Sequence, residues 1–158
     1  MTRDLSTLIT DLHDRTVKKR LAAAKELGRS GNSSAMVPLL RALADPHPAV
    51  RMEASLALGR LDDADAVPAL IAALDDPRPD VRAGVIAALG RLGDRRAVGP
   101  LIRCLSDREE VIRIGAAGVL GKLGDERAGE PLKLLTRDPF SGVREAAEVA
   151  LARLRKRW

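Results

Sequence analysis

The strongest constraint on this chain is that it repeats itself every 31 residues. Leu58-Gly59-Arg60-Leu61, Leu89-Gly90-Arg91-Leu92 and Leu120-Gly121-Lys122-Leu123 stand one period apart, as do Leu8, Leu39, Leu70, Leu101 and Leu132. The 158 residues divide into about five repeats, roughly 2–32, 33–63, 64–94, 95–125 and 126–158, read together as one repeat domain, 1–158. A period of this length marks stacked supersecondary units, none of which buries its apolar face alone.

Within a repeat the apolar spacing is helical twice. Ala66, Val67, Leu70, Ile71 and Leu74 recur at three- and four-residue steps, which places them on one helix face. Asp63 or Asp65 can cap this helix, and Pro68 falls in its first turn, where the missing N–H costs little. Asp76-Pro77-Arg78-Pro79 breaks the helix. A second series follows in Val81, Val85, Ala88, Leu89 and Leu92, and Gly93 supplies a favoured C′ residue. No segment alternates with the two-residue period of a strand. The pattern predicts an all-α chain of ten short helices in five antiparallel pairs.

The run Asp76-Pro77-Arg78-Pro79-Asp80-Val81-Arg82, followed by Ala87-Ala88-Leu89-Gly90-Arg91-Leu92-Gly93-Asp94 and Ala97-Val98-Gly99-Pro100-Leu101-Ile102, resembles the HEAT-like repeat of the phycobilisome-lyase type. Ala66-Val67-Pro68-Ala69-Leu70-Ile71 matches equally well, and the resemblance covers essentially the whole chain. It implies an α-solenoid, an α-α superhelix of five HEAT-like helix pairs. It says less about function, because the family holds bilin lyase subunits, phycobilisome-associated factors and adaptors, and artificial repeat proteins resemble it too. Departures from the pattern sit at the ends. Lys19 replaces the Val50, Val81, Ile112 and Val143 column, and Lys133 and Thr136 replace Ile102 and Leu105. Terminal repeats expose a face that inner ones bury, so the expectation is a complete solenoid capped at both ends.

Two columns are charged. Asp14, Asp45, Asp76, Asp107 and Asp138 precede each second helix, and Arg20, Arg51, Arg82, Arg113 and Arg144 follow six residues later. The resemblance implies that these ten form a structural ladder tying inter-helix loops together. The ladder is neutral in sum, so it does not account for the formal net charge of +5. The other column is Arg29, Arg60, Arg91, Lys122 and Arg153, one cation late in every second helix. Favourable interaction with the helix C-terminal dipole is one explanation. Partner binding is another and is compatible with the first. The resemblance places the second helices on the concave surface, where five cations would make a stripe on the order of 40 Å long.

Beside this column the second helices are less polar than a solvent face usually is. Met52, Leu56, Ile86 and Ile114 are the larger apolar residues there, and no charge falls between Arg82 and Arg91 or between Arg113 and Lys122. An apolar strip flanked by cations has the composition of a peptide groove. Helix-to-helix packing by small residues is the competing explanation, and close backbone approach would account for Gly84, Gly115 and Gly118 inside helices.

Other functions find little material. The chain has two histidines, His13 and His47, and a single cysteine, Cys104, so neither a metal site nor an internal disulfide is expected. No glycine-rich phosphate loop is present, Gly90-Arg91-Leu92-Gly93 being read as the repeat's own turn. No catalytic residue and no cofactor are assigned. Membrane spans and a secretory signal are not expected, and a cytoplasmic location is. Basic ends, Lys18-Lys19-Arg20 and Arg153 to Arg157, keep nucleic acid as an alternative partner. Phe140 and Trp158 are the only rings available to stack on bases. The expected function is a non-enzymatic scaffold or adaptor whose concave face binds an acidic or amphipathic segment of another protein. A bilin-lyase-like or chaperone-like accessory subunit is the remaining alternative.

Overall fold

In the computed structural model, which describes residues 3–156, the chain forms ten α-helices with four short 3-10 turns and no strand among the described residues. The first helices of the repeats are seven residues long: α1 (Leu5–Asp11), α3 (Met36–Ala42), α5 (Val67–Ala73), α7 (Val98–Cys104) and α9 (Gly129–Leu135). The second helices are about twice that: α2 (Val17–Arg29), α4 (Pro48–Leu61), α6 (Pro79–Leu92), α8 (Glu110–Leu123) and α10 (Ser141–Arg155). Two compact units divide the chain, one ending at Leu92 and one beginning at Gly93.

Local chemistry sets each boundary. Asn32, Asp63, Asp94 and Asp125 each cap a 3-10 turn, their side chains accepting from the backbone N–H two residues on. Each turn then runs into a first helix, which satisfies N–H groups that a helix start would otherwise leave unpaired. At the other end, the residue after the second helix is left-handed: Gly93 (φ 66°) and Gly124 (φ 67°), with Asp62 (φ 56°) holding the same position one repeat earlier. Glycine reaches that conformation without a Cβ clash, whereas Asp62 does so at some cost.

The period-locked leucines are the core. Leu39, Leu70, Leu101 and Leu132 on the first helices are fully buried, as are Leu27, Leu58, Leu89 and Leu120 on the second. Each first helix packs on the second helix of its own repeat. In the N-terminal unit α4 also packs on α2 and α6, and in the C-terminal unit α8 packs on α10. A second helix therefore has apolar neighbours on more than one side, which is why it carries alanine and glycine as well as leucine.

Glycines let these second helices approach closely. A Cβ placed on Gly28 would stand 2.6 Å from the Cα of Ala57, and one on Gly59 would stand 2.9 Å from the Cα of Ala88. Gly121 repeats the contact against Ala150 at 2.8 Å in the C-terminal unit. Real Cβ atoms do not tolerate such distances, so the glycine of the Leu-Gly-Arg/Lys-Leu motif is a packing residue. This corrects the assignment of Gly90 to a turn: it lies within α6, and only Gly93 is left-handed. Gly84 has Met52 Cγ 2.9 Å from its virtual Cβ, whereas Gly118 has nothing within 4 Å.

The loops between paired helices are tied by arginine and aspartate. In the N-terminal unit Arg20 donates to Asp45 through Nε (2.7 Å) and Nη2 (2.9 Å), and Arg51 donates to Asp76 likewise (2.7 and 3.1 Å). Arg113 and Asp138 make the same fork in the C-terminal unit (2.8 and 3.0 Å). Nη1 of each arginine reaches back six residues to the main-chain oxygen of its own aspartate, from Arg20 to Asp14, Arg82 to Asp76, Arg113 to Asp107 and Arg144 to Asp138. Burial opposes ionisation of Asp45 and Asp76. The Arg20 and Arg51 guanidiniums and a backbone N–H at each site outweigh it, so both carboxyls stay below the usual range.

Candidate functional site

In each unit the packing leaves one side of the second helices open. In the N-terminal unit, Met52 and Leu56 are half-buried. A Cβ on Gly84 of α6 would lie 2.9 Å from Met52 Cγ and 3.8 Å from Leu56 Cγ, so both side chains lean on the neighbouring helix. They are partly packing residues and partly surface. Ile86 is different. It is 2% exposed and offers nothing to a partner, which corrects its place among the groove residues. Its position is one residue short of the column formed by Leu56, Ala87 and Gly118. A rotation of about 100° turns it from the open face to the flank, where Ser55 and Ala117 are also fully buried.

The cations of this unit differ in freedom. Arg29 and Arg91 are exposed. Arg60 is half-buried and donates from Nη1 to Glu53 at 2.7 Å, and Glu53 itself is only 9% exposed. Glu53 stands where the other repeats have Ala22, Gly84, Gly115 and Ala146, so this pair belongs to one repeat alone.

In the C-terminal unit the open face is more apolar. Ile114 is 36% exposed, Val111 53% and Val149 47%, large aliphatic groups that the fold leaves in water. Ile114 Cδ1 stands 3.4 Å from a virtual Cβ on Gly142, which joins the aliphatic groups of α8 to the start of α10. Lys122 and Arg153 are exposed near the ends of α8 and α10. Val149 escaped the sequence reading although it lies 31 residues beyond Gly118, in the same column as Leu56. The repeat alone was enough to find it. Val111 lies in the first turn of α8, where the other repeats carry Lys18, Ala49, Asp80 and Gly142, and no pattern marks it.

The remaining candidates lie elsewhere. Cys104 is buried at the end of α7. His47 caps α4, accepting through Nδ1 from the Ala49 N–H, and His13 is exposed. No group of three or more metal-ligating side chains comes together among the described residues. Phe140 is 50% exposed, with the Arg113 guanidinium 5.6 Å from its ring centroid, and Trp158 and Arg157 lie outside the described residues. No described helix is long and apolar enough to cross a membrane.

Comparison with known proteins fits this architecture. The HEAT-repeat family profile matches residues 5–84 and 67–152. Among solved structures, the complex of CpcE and CpcF of phycocyanin lyase from Nostoc sp. PCC7120 superposes with a TM-score of 0.86 at 26% identity. That match covers 99% of this chain and 66% of the Nostoc chain. The chain thus spans slightly under two thirds of that relative. A designed armadillo repeat protein in complex with the peptide (KR)4 gives a TM-score of 0.73 at 21% identity, over 95% of this chain and 81% of the designed one. YibA of E. coli gives 0.70 at 20% identity, over 96% and 55%. No curated protein sequence matches. The chain belongs to the HEAT-repeat family.

Proposed function

We propose that this HEAT-repeat chain is a non-enzymatic adaptor that binds an acidic segment of a partner protein on the open face of its second helices. The observation that carries the reading is the pairing, on that face, of solvent-exposed aliphatic groups with one cation per repeat. Ile114 and Val149 stand exposed on the helices that end in Lys122 and Arg153 in one unit, and the half-buried Met52 and Leu56 lie on the helix that ends in Arg60 in the other. Exposed aliphatic surface favours burial by about 25 cal/mol per Å², and the cations raise the rate of encounter with an acidic segment while rejecting basic ones. The Nostoc relative is a complex of two chains and the designed armadillo protein holds a peptide, which suits a binding scaffold. Helix-dipole stabilisation of the cation column remains compatible, since Arg29, Arg60, Arg91, Lys122 and Arg153 all sit in or near a last turn.

A second reading rests on the Nostoc likeness, whose identity exceeds that of the designed repeat proteins. In it the chain is an accessory subunit of a lyase-like pair, and its partner is another helical-repeat subunit. Both readings need the same face. Nucleic acid fits less well, because the one described ring, Phe140, already lies under Arg113.

The test is affinity capture from source lysate after nuclease treatment, with the wild-type chain and with Ile114→Asp/Val149→Asp. Proteins held by the wild type and lost by the variant support the adaptor reading. Identical captures by the two chains would refute it.

A further inference from the structure

The densest charge of the C-terminal unit lies at one end of its helix pairs, where its second helices end and its first helices begin. Gly121 meets Ala150 and Ile114 meets Gly142, so α8 and α10 run parallel and finish on one edge. That edge gathers Arg95, Arg96 and Arg127 in the 3-10 turns and Lys122 at the end of α8. The end of α10 adds three more cations, Arg153, Arg155 and Lys156, and the edge's acids among the described residues are Asp94, Asp125 and Glu126. Elsewhere the described part of the unit is close to balanced, with six cations against seven acids. The positive excess of the unit is therefore local.

Helix-end electrostatics account for the cations on α8 and α10 but not for the other three. Arg95, Arg96 and Arg127 sit where first helices start, the end at which a dipole disfavours positive charge. The equivalent positions in the earlier repeats hold Ser33-Ser34 and Ala64-Asp65. Asp125 organises two of these arginines. Its side chain is 3% exposed and accepts from Arg127 N (3.0 Å), Nε (2.9 Å) and Nη2 (2.9 Å), and from Arg95 Nη2 (2.9 Å) and Nε (3.3 Å). The two arginine side chains nevertheless stay 71% and 61% exposed, and Nη1 of each has no acceptor among the described residues. Two cations share one carboxylate, which leaves one positive charge and a set of N–H donors that meet no acceptor among the described residues.

We propose that Arg95 and Arg127, held as a pair by the buried Asp125, form an oxyanion clamp that seats a carboxylate side chain of an acidic protein segment. The proposal rests on the adaptor reading above and specifies where the acidic part of the partner docks. A planar guanidinium matches a carboxylate with two parallel N–H···O bonds. Fixing both arginines on Asp125 removes their side-chain freedom during folding, so less is lost on binding. One incoming carboxylate balances the charge of the clamp. A nucleic-acid backbone fits worse, because among the described residues of this edge no ring is at hand to stack on bases.

The test is fluorescence anisotropy of a labelled octaglutamate peptide on the full chain at low salt, compared with a labelled DNA duplex. Arg95→Gln/Arg127→Gln is expected to weaken octaglutamate binding about tenfold, while the charge-matched Arg103→Gln/Arg137→Gln changes it little. Arg95→Lys/Arg127→Lys keeps the charge and is expected to lose most of the affinity too, because the fork is gone. Single Arg95→Gln leaves Arg127 on Asp125 and carries the comparison should the double variant not fold. Equal weakening by the two charge-matched doubles, full affinity of the lysine variant, or no binding by the wild type would each overturn the clamp. So would a duplex bound more tightly than the peptide through the same arginines. None of these results touches captures that depend on Ile114 and Val149, so failure of the clamp is distinct from failure of the adaptor reading.

Discussion

Gly121 lies so close to Ala150 that a Cβ added to it would stand 2.8 Å from the Ala150 Cα, and Gly59 meets Ala88 in the same way at 2.9 Å. In α2, α4 and α8 this glycine is thus not a weak point in a helix. It is the surface on which the next helix rests, and its helix-propensity cost is offset by close packing.

Replacing these glycines separates the two effects. Gly121→Ala is expected to destabilise by about 1–3 kcal/mol, because the methyl overpacks against backbone. Gly118→Ala, three residues away with nothing within 4 Å, should instead stabilise by up to about 1 kcal/mol through helix propensity. Urea unfolding followed by circular dichroism reads both. A Gly121→Ala protein as stable as wild type would show that the helices do not rest on this contact.

Asp62 is the one left-handed non-glycine among the described residues. Its counterparts Gly31, Gly93 and Gly124 occupy the same conformation without a side chain to strain. Asp62→Gly should therefore stabilise by about 0.5–1 kcal/mol, measured as a higher urea midpoint.

The Arg51–Asp76 fork is largely shielded, with side-chain exposures of 15% and 10%. Arg51→Met leaves the Asp76 carboxylate half-paired and also empties the bond to the Asp45 main-chain oxygen, so a loss of about 2–3 kcal/mol is expected. The exposed Lys133–Glu130 pair is the comparison, and Lys133→Met should leave the urea midpoint unchanged.

Acid should unfold the protein through its aspartates. Hydrogen bonds from Thr16 and then the Lys19 ammonium hold Asp14 down at about 2, and those from Ser6 and Thr7 do the same for Asp4. Arg127, against the cost of burial, and Arg95 hold Asp125 lower still. A carboxyl depressed in the folded state stabilises at any pH above its unfolded value near 4, and that stability is lost as pH falls through the folded value. Stability should thus be flat from pH 7 to about 5 and collapse between about 4 and 2. Asp125→Asn should be less stable at pH 7 and lose less on acidification, so the two titration curves converge at low pH.

Ile114→Asp/Val149→Asp should remove partner binding with helicity unchanged and only a small fall in thermal midpoint, because both side chains are already partly in water. Leu56→Asp would be a poorer test, since Leu56 is half-buried. Retained binding by a folded Ile114→Asp/Val149→Asp protein would remove the aliphatic face from the mechanism.

The 31-residue period by itself determined the helix pairs, their order and the buried leucine columns, because burial at three- and four-residue steps is a local property of one helix. The capping aspartates and Gly93 were legible for the same reason. What the tertiary structure alone decided is which side of a second helix remains open. Such a helix has neighbours on several sides, and a turn of one residue moves a side chain by about 100°. Ile86 therefore went under, although it is aliphatic and stands one residue from the open column of Leu56. The Arg95–Asp125–Arg127 cluster was equally invisible, since its members come from two repeats and 30 residues separate Arg95 from its carboxylate. No sequence pattern marks such a contact, because it depends on how two consecutive turns are stacked in space.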